Sequence, residues 1–278
     1  MYASSAETTL NSAEIVSFDV FDTLITRRVS SPRDVFELCA AGGASLANLD
    51  PDTFSDRRVR AERIAGQHAF RDGREEPTLT EIYQTLLNSE PDDPRVAALV
   101  KLEVSAEEKV IIPRLAGRTL FNAALAENKR IILVSDMYLS QDAVEYLLSR
   151  CGYDGWEKLY LSSELGLTKR TGSIFEALLA ETGVEPARLF HIGDNPKGDK
   201  EVPARLGISC HPLPTAITTL EKTAPYLRKA STRIRSEGVG GGSAILSQVA
   251  RQYFDSPASA LSDSLSGNAE AFGYIALG

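Results

Sequence analysis

The chain has 278 residues, of which 43% are hydrophobic, and its formal net charge is −8. This length and composition suffice for one large α/β domain with an insertion or for two small domains, and they exclude a disordered chain. The negative charge argues against a nucleic-acid partner, because binding to that backbone requires clustered lysine and arginine side chains. A small ligand that is bound locally is still allowed.

The two ends of the chain and its cysteines bear on its location. Cys39, Cys151 and Cys210 are widely spaced and form no CxxC motif, so neither a disulfide framework nor a thiolate metal site is predicted. Residues 1–13 lack the basic start and the apolar stretch of a secretory signal, and we interpret them as an N-terminal tail. The apolar runs are short and bounded by charge, so no membrane span is predicted. These features favour a cytoplasmic protein.

The first predicted strand is the apolar run 15–18, which ends in a carboxylate. From about residue 32 to residue 110 the pattern changes, because apolar residues recur there at helical spacing and Pro or Asp stands near several starts. We therefore predict a helical insertion directly after the first strand.

The chain then alternates between helical and strand patterns. The predicted elements are a helix at 115–127, a strand at 130–134, a helix after Ser140, a strand at 159–161, a helix at 173–181, a strand at 189–192, a short helix near 201–206 and a strand at 208–210. Such alternation predicts right-handed βαβ units and an α/β fold with a doubly wound, Rossmann-like parallel sheet.

Residues 216–278 are predicted to form a C-terminal helical extension. Helical patterns cover 219–229 and 242–253, and the last seven residues, 272–278, are mostly apolar without a polar tail. We interpret this ending as the start of a further region of a longer protein.

Acidic residues follow two of the apolar runs, and a serine follows a third. Asp19 comes directly after the first strand, where a carboxylate can attack a phosphoryl or carbon centre and form a covalent intermediate. Ser135 follows the run 131–134, so its hydroxyl is placed to bond a transferring phosphoryl group or to cap the next helix. Asp136 beside it binds substrate or orients the turn.

A cation and two further carboxylates complete the predicted site. Lys169 precedes a helix, where its ammonium can neutralise the charge of a phosphate and the nucleophile, and Arg170 is the competing cation. Asp194 and Asp199 lie on the loop that leaves the strand 189–192, and such hard oxygen ligands suit Mg²⁺. His191 is interpreted as a structural residue of that strand.

The segments Phe18–Thr23, Ser135-Asp136, Lys169 and Gly193–Asp199 together resemble the haloacid dehalogenase-like (HAD) superfamily. The resemblance covers roughly residues 14–213 and is specific only as a set. It implies a core of residues 14–29 and 111–215, with a helical cap of the first type at 30–110. It also implies Asp19 as the nucleophile.

The resemblance further implies roles for the remaining motif residues. Mg²⁺ is expected on Asp19, on the backbone carbonyl of Phe21 and on Asp194, with Asp199 as support or as a ligand through water. The residues expected to bind substrate are Thr23, Ser135, Asp136 and Lys169, and the family pattern favours Lys169 over Arg170 as the cation.

Phe21 departs from the family pattern. Phosphatases of the superfamily carry a second aspartate at this position as the general acid and base, which is worth a factor of about 10²–10⁴ in rate. Asp22 is the nearest candidate to replace it, but adjacent residues on an extended chain point to opposite sides.

Three functions therefore stay open. The favoured one is a Mg²⁺-dependent phosphohydrolase in which Asp22, a water or a cap residue transfers the proton to or from a small phosphorylated substrate. The second is a catalytically weak HAD domain that serves as a binding module. The third is a 2-haloacid dehalogenase-like enzyme, whose relatives carry an aromatic residue at the Phe21 position but lack the Gly193-Asp194 pair.

Residues 17–24 and 135–139 also resemble a subgroup of HAD-like proteins that are found alongside or fused to glycosyltransferases of bacterial surface-polysaccharide synthesis. This resemblance implies a phosphorylated sugar or glycan precursor as substrate and a glycosyltransferase as partner. Five cap arginines are candidates for contact with an anion, although most are expected on the helix surface. They are Arg33, Arg57, Arg58, Arg60 and Arg63.

Overall fold

A computed structural model describes residues 10–90, 92–237 and 241–256. The strands within these ranges are β1 (Ile15–Phe18), β2 (Ile25–Arg27), β3 (Ile111–Pro113), β4 (Arg130–Ser135), β5 (Lys158–Leu161), β6 (Leu189–Gly193) and β7 (Ser209–Pro212). Five of them form one sheet in the order β5-β4-β1-β6-β7, and every neighbouring pair is parallel. The predicted α/β fold with a doubly wound parallel sheet is thus confirmed.

The helices fall into three groups along the chain. Those before β4 are α1 (Arg33–Ala47), α2 (Pro51–Arg71), α3 (Leu79–Leu87), α4 (Pro94–Val110) and α5 (Leu115–Ala126). Those between β4 and β7 are α6 (Gln141–Arg150), α7 (Ser162–Leu165), α8 (Ser173–Thr182) and α9 (Val202–Arg205). The last group is α10 (Ala216–Thr223), α11 (Arg228–Glu237) and α12 (Gly241–Phe254).

The three central strands β4, β1 and β6 are buried because they are largely apolar on both faces. All four residues of β1 are buried, as expected for the central strand of a parallel sheet that helices cover on both sides. Since the strands run in one direction, β1, β4 and β6 end at the same edge of the sheet. That edge carries Asp19, Ser135 and Asp194.

Helices α1–α4, which we call the cap, occupy residues 33–110 between β2 and β3. Their starts follow from the sequence: Pro51 and Pro94 stand at first helical positions after the capping side chains of Asp50 and Asp93. Thr78 starts α3 with a capping box that involves Glu81.

Strands β2 and β3 form a two-stranded antiparallel ribbon that carries the chain out of the core and back into it. We call this ribbon the hinge. The sequence patterns did not predict it, because three residues are too few to show the alternation of a strand.

The C-terminal helices differ from the prediction. The helix predicted at 219–229 is broken, because α10 ends before Pro225, which cannot continue a helix, and α11 begins at Arg228. The strand predicted at 208–210 lies at 209–212. The predicted tail falls largely on residues 1–9, and the ending at 272–278 belongs to 257–278; both ranges lie outside the described residues.

Helix α12 contacts strand β2 of the hinge, and Asp255, the residue that follows this helix, contacts the start of α5. The hydroxyl of Ser247 donates to the carbonyl of Arg27 at 2.9 Å. The carboxylate of Asp255 accepts from the backbone N–H groups of Leu115 and Ala116, each at 3.0 Å, and so caps the start of α5. In the described part of the chain, no helix has the length and apolar character that a membrane crossing requires.

Candidate active site

Asp19 lies at the carboxyl edge of the sheet, immediately after β1. Its backbone N–H donates to the carbonyl of Ile192 in β6 at 2.9 Å, and the residue is 4% exposed. The chain then turns sharply, because the N–H groups of Thr23, Leu24 and Ile25 all point at the carbonyl of Val20. This turn leaves the Asp19 carboxylate facing the loops that follow β4 and β6.

Lys169 is the cation that meets this carboxylate. Its Nζ lies 2.6 Å from Oδ1 of Asp19 and 2.6 Å from Oδ1 of Asp199, and all three side chains are buried. Burial alone lowers the pKa of Lys169, but the charges of Asp19 and Asp199 outweigh it and raise that pKa. Arg170 is exposed. Lys169, favoured over Arg170 from the sequence, is thus the residue in contact with Asp19.

Asp199 is held by protein groups on both of its oxygens. Oδ1 accepts from Lys169 and from Nε2 of His191 at 3.1 Å, and Oδ2 accepts from the backbone N–H of Asn195 at 2.9 Å. Burial by itself raises the pKa of Asp199, but the charge of Lys169 and the His191 bond lower it overall. A Cβ on Gly193 would lie 2.3 Å from Cγ of Asp199, so glycine is required at the end of β6.

His191 is a structural partner, in line with the sequence interpretation. It is fully buried in β6, and burial lowers its pKa despite the contact with Asp199. The neutral ring donates from Nε2 to Asp199 and accepts at Nδ1 from the hydroxyl of Ser17 at 2.8 Å. The ring therefore fixes the orientation of Asp199 beneath Lys169.

Asp194 adds a third carboxyl group at the same edge. One carboxylate oxygen each of Asp19, Asp194 and Asp199 lies within 4.8 Å of the other two. Burial and the neighbouring charges of Asp19, Asp22 and Asp199 raise the pKa of Asp194 to about 8. Burial also raises the pKa of Asp19 to about 6, although Lys169 acts in the opposite direction. One ammonium does not balance these carboxylates, so the site favours a further cation.

Three buried polar atoms at this edge have no hydrogen-bond partner among the described residues. They are Oδ2 of Asp19, the hydroxyl of Thr23 and the hydroxyl of Ser135. An unsatisfied buried polar group costs about 1–3 kcal/mol, so their presence in one place indicates a site that a ligand completes. The predicted substrate-binding residues Thr23 and Ser135 thus lie beside the predicted nucleophile.

Asp136 occupies a different place from Ser135. It is exposed, and its Oδ1 accepts from the backbone N–H of Lys169 at 2.8 Å. Of the two interpretations that the sequence left open, the contact matches the orienting one. Asp136 ties the loop of Lys169 to the end of β4.

Comparison with known proteins agrees with this arrangement. The model of the haloacid dehalogenase-like hydrolase family matches residues 13–207, which is most of the chain. The chain belongs to the haloacid dehalogenase-like hydrolases. Among curated proteins, none matches the sequence at the significance required.

Solved structures of low identity share this HAD fold. The L-2-haloacid dehalogenase from Xanthobacter autotrophicus is 15% identical, with a TM-score of 0.51 over 77% of this chain and 82% of that one. The HAD family enzyme bt-2542 from Bacteroides thetaiotaomicron is 17% identical, with a TM-score of 0.50 over 73% of this chain and 94% of that one. These likenesses concern the fold alone.

Phe21 and Asp22 follow the nucleophile candidate of this HAD hydrolase. The guanidinium of Arg27 lies 4.9 Å from the centroid of the Phe21 ring, so the ring packs against the hinge. Asp22 has a left-handed backbone with φ of 61°, and its Oδ1 accepts from the Thr26 hydroxyl at 2.8 Å. Its charge contributes to the raised pKa of Asp194. Asp22 therefore lies near the carboxylate cluster, and its side chain is oriented by the hydrogen bond from Thr26.

Sequence patterns missed a buried arginine that supports the HAD site. Arg114, just after β3, donates to the carbonyls of Asp22, Leu213 and Pro214 and pairs with Asp255 at 3.6 Å. It thereby joins the turn after Asp19 to the segment after β7. A single basic residue at the start of a helix gives no signal of such a contact.

One expectation about the cap arginines is corrected. Arg58 is fully buried inside the HAD cap, where its guanidinium pairs with Glu103 at 2.8 Å and with Glu62 at 2.8 Å. A side chain engaged in this way is not free for an external anion. Arg33 also pairs with a carboxylate of its own domain, that of Asp56 at 2.6 Å.

Proposed function

We propose that this chain is a Mg²⁺-dependent phosphohydrolase that acts on a small phosphorylated metabolite through an aspartyl-phosphate intermediate. The observation that carries the proposal is the state of Asp19. One oxygen of its buried carboxylate is held by Lys169 at 2.6 Å, and the other is buried without a partner in the described residues.

The free oxygen suits Asp19 for nucleophilic attack. Oδ2 forms a bond to phosphorus while the bond from phosphorus to the leaving oxygen breaks, and the leaving group takes a proton from water. Water then attacks the phosphorus while the bond from phosphorus to Oδ2 breaks, and it gives a proton to the hydroxide left by the first step, which releases inorganic phosphate and restores the carboxylate. The hydroxyls of Thr23 and Ser135 are available as donors to the phosphoryl oxygens, and Lys169 offsets their charge.

The donor set fits Mg²⁺. Asp19 and Asp194 would hold the ion together with the backbone carbonyl of Phe21, since hard oxygen ligands suit this cation. Asp199 is assigned a supporting role, because both of its oxygens already accept hydrogen bonds from the protein. When bound, Mg²⁺ would neutralise the phosphoryl group and the carboxylates.

A sugar phosphate is the proposed substrate class. It rests on the resemblance of residues 17–24 and 135–139 to HAD-like proteins associated with glycosyltransferases, which are also the proposed partners. The cytoplasm is the proposed location, in keeping with three free cysteines.

A second candidate is a binding module of low activity, and Phe21 is the observation that favours it. Phe21 supplies no carboxylate at the position where phosphatases of the family carry an acid, and the Asp22 carboxylate accepts a hydrogen bond from the Thr26 hydroxyl. Without an acid, a poor leaving group departs slowly. A dehalogenase is the third candidate, because a halide needs no proton, but Asp194 then has no role.

Hydrolysis of p-nitrophenyl phosphate tests the proposal, since this leaving group needs little protonation. We expect turnover that requires both Mg²⁺ and Asp19, and Asp19→Asn should reduce it to background. The exposed Asp154→Asn is the matched control and should retain wild-type activity. Wild-type turnover no higher than that of the Asp19→Asn variant would contradict the phosphohydrolase and favour the binding module. Chloride release from 2-chloropropionate in EDTA would identify a dehalogenase.

A further inference from the structure

The loop between α2 and α3 of the cap contacts both loops that frame the active site. The backbone N–H of Glu75 donates to the carbonyl of Gly166 at 2.9 Å, next to the lysine loop, which we define as residues 168–173. The N–H of Leu79 donates to the carbonyl of Tyr138 at 2.8 Å, three residues after Ser135. The cap is thus bonded to the core on the side of the sheet edge that carries Asp19, Ser135 and Asp194, which we call the catalytic edge, and these bonds are far along the chain from the hinge.

The side chain of Glu75 accepts four hydrogen bonds from the lysine loop. Its Oε2 accepts from the backbone N–H of Thr168 at 3.0 Å and from the Thr168 hydroxyl at 2.6 Å. The same oxygen accepts from the hydroxyls of Thr171 at 2.6 Å and Ser173 at 3.1 Å. Burial alone raises the pKa of Glu75, but these bonds outweigh it and lower the pKa. The ionised carboxylate therefore gathers the two ends of the lysine loop around one atom.

This carboxylate acts on the residue next to Lys169. Lys169 follows Thr168 directly, and its own backbone N–H is bonded to Asp136 of the core. Asp136 holds the loop from within the core, whereas Glu75 holds it only while the cap is docked. The reach of Nζ to Asp19 depends on where this loop lies.

We propose that Glu75 is a positioning residue, through which docking of the cap fixes the lysine loop and keeps Lys169 against Asp19. The proposal rests on the proposed function for its effect on turnover, but not for its effect on the loop. It assigns a role to a residue that lies outside every motif of the sequence.

Hydrogen–deuterium exchange of the whole protein tests the effect on the loop without any substrate. Glu75→Gln keeps the size of the side chain and removes the charge that strengthens the four hydrogen bonds. We expect the amide of Thr168 to exchange about tenfold faster, since bonds to a charged acceptor are the strong ones. Glu90→Gln, an exposed cap residue whose side chain hydrogen-bonds with none of the described residues, is the control and should exchange like wild type.

A double variant separates the specific contact from general loosening. Thr171→Val removes one donor to Glu75, so the exchange effects of Glu75→Gln and Thr171→Val should be less than additive. Exchange at Thr168 that is unchanged in Glu75→Gln, or effects that add fully, would overturn the contact as the cause.

Kinetics with p-nitrophenyl phosphate test the effect on Lys169. We expect Glu75→Gln to lower kcat about tenfold with little change in KM, because the nucleophile loses alignment while the substrate retains its other contacts. Glu75→Asp should recover part of kcat. An unchanged kcat beside faster exchange would refute the positioning role. An inactive wild type would refute the proposed function, and faster exchange in Glu75→Gln would still support the contact.

Discussion

Two buried clusters of charge, one in the cap and one at the catalytic edge, differ in how completely they are satisfied. In the cap, Arg58 donates to both oxygens of Glu103 at 2.8 Å, and the Tyr83 hydroxyl donates to Glu103 at 2.5 Å. At the catalytic edge, Oδ2 of Asp19 has no partner among the described residues. Protein groups satisfy the hydrogen bonding of the cap cluster, which we call saturated. The cluster at the catalytic edge has an oxygen that is unpartnered within the described ranges, and we call it unsaturated.

The surroundings of the two clusters differ in the same sense. The Arg58 guanidinium lies 4.6 to 5.4 Å from the ring centroids of Phe36, Tyr83 and Tyr138, which shield its pair from water. The carboxylates of Asp19, Asp194 and Asp199 instead lie against one another, so burial and mutual repulsion raise the pKa of Asp194. We infer that the saturated cluster holds the cap together, whereas the unsaturated one leaves buried polar atoms available to a ligand.

Breaking the cap cluster should have the largest effect on stability. Arg58→Met leaves Glu103 buried and unpaired, and removal of one partner of a buried pair costs about 3–5 kcal/mol. Urea denaturation should show this loss, while kcat per folded molecule should stay near that of wild type. The double variant Arg58→Met/Glu103→Leu should recover most of the lost stability. A single variant within about 1 kcal/mol of wild type would contradict a structural role.

The unsaturated cluster should respond to pH and Mg²⁺ in a way that the cap cluster does not. The folded-state pKa of Asp194, about 8, lies above its ordinary value of 3.8. The folded protein then binds more protons than the unfolded chain between these values, so in EDTA this group's stabilising contribution is lost as pH rises towards 8. Asp194→Asn removes that dependence.

The difference in unfolding free energy between wild type and Asp194→Asn isolates this effect from other titrating groups. With respect to the variant, wild type should become less stable from pH 4 to pH 8 in EDTA. Mg²⁺ at 100 times its Kd should then stabilise wild type by about 2.7 kcal/mol, and the variant far less. Equal stabilisation of both proteins would exclude Asp194 as a ligand.

These clusters also mark what sequence patterns can predict. Asp19, Ser135 and Asp194 end apolar strands, and parallel strands end at one edge, so their proximity follows from local patterns together with one rule of topology. The family resemblance added Lys169. Glu75 and Arg114 act through contacts between segments that are distant along the chain, and no local period reports such contacts.

The features that the sequence patterns did not predict correctly have similar causes. The hinge strands are three residues each, and they form only because the insertion brings Ile25 opposite Pro113. Arg58 is among the cap arginines that the sequence offers for contact with an anion, because a lone basic residue on a helix gives no sign of burial. The break at Pro225 was different, since proline disfavours a helix interior and the local signal was present.

Phe21 follows Asp19 of the unsaturated cluster by two residues and contacts a saturated ion pair. Its replacement should have the smallest effect among these predictions, a modest change in activity. Its ring packs on Arg27, whose guanidinium pairs with Glu107 at 2.7 Å in a second saturated contact. In Phe21→Asp, the new carboxylate would lie near Arg27, and that charge lowers the pKa of an acid. We therefore expect a gain of only about tenfold on an alkyl phosphate, below the usual range for general acid catalysis.

The gain should be specific to poor leaving groups, so the ratio of kcat/KM for glucose 6-phosphate and p-nitrophenyl phosphate is the quantity to measure. Phe21→Asn is the matched control, because it removes the ring without supplying a proton. A rise in the ratio in Phe21→Asp alone would show that the missing acid limits the rate. Equal ratios in both variants would mean that the ring serves only to pack the hinge against Arg27.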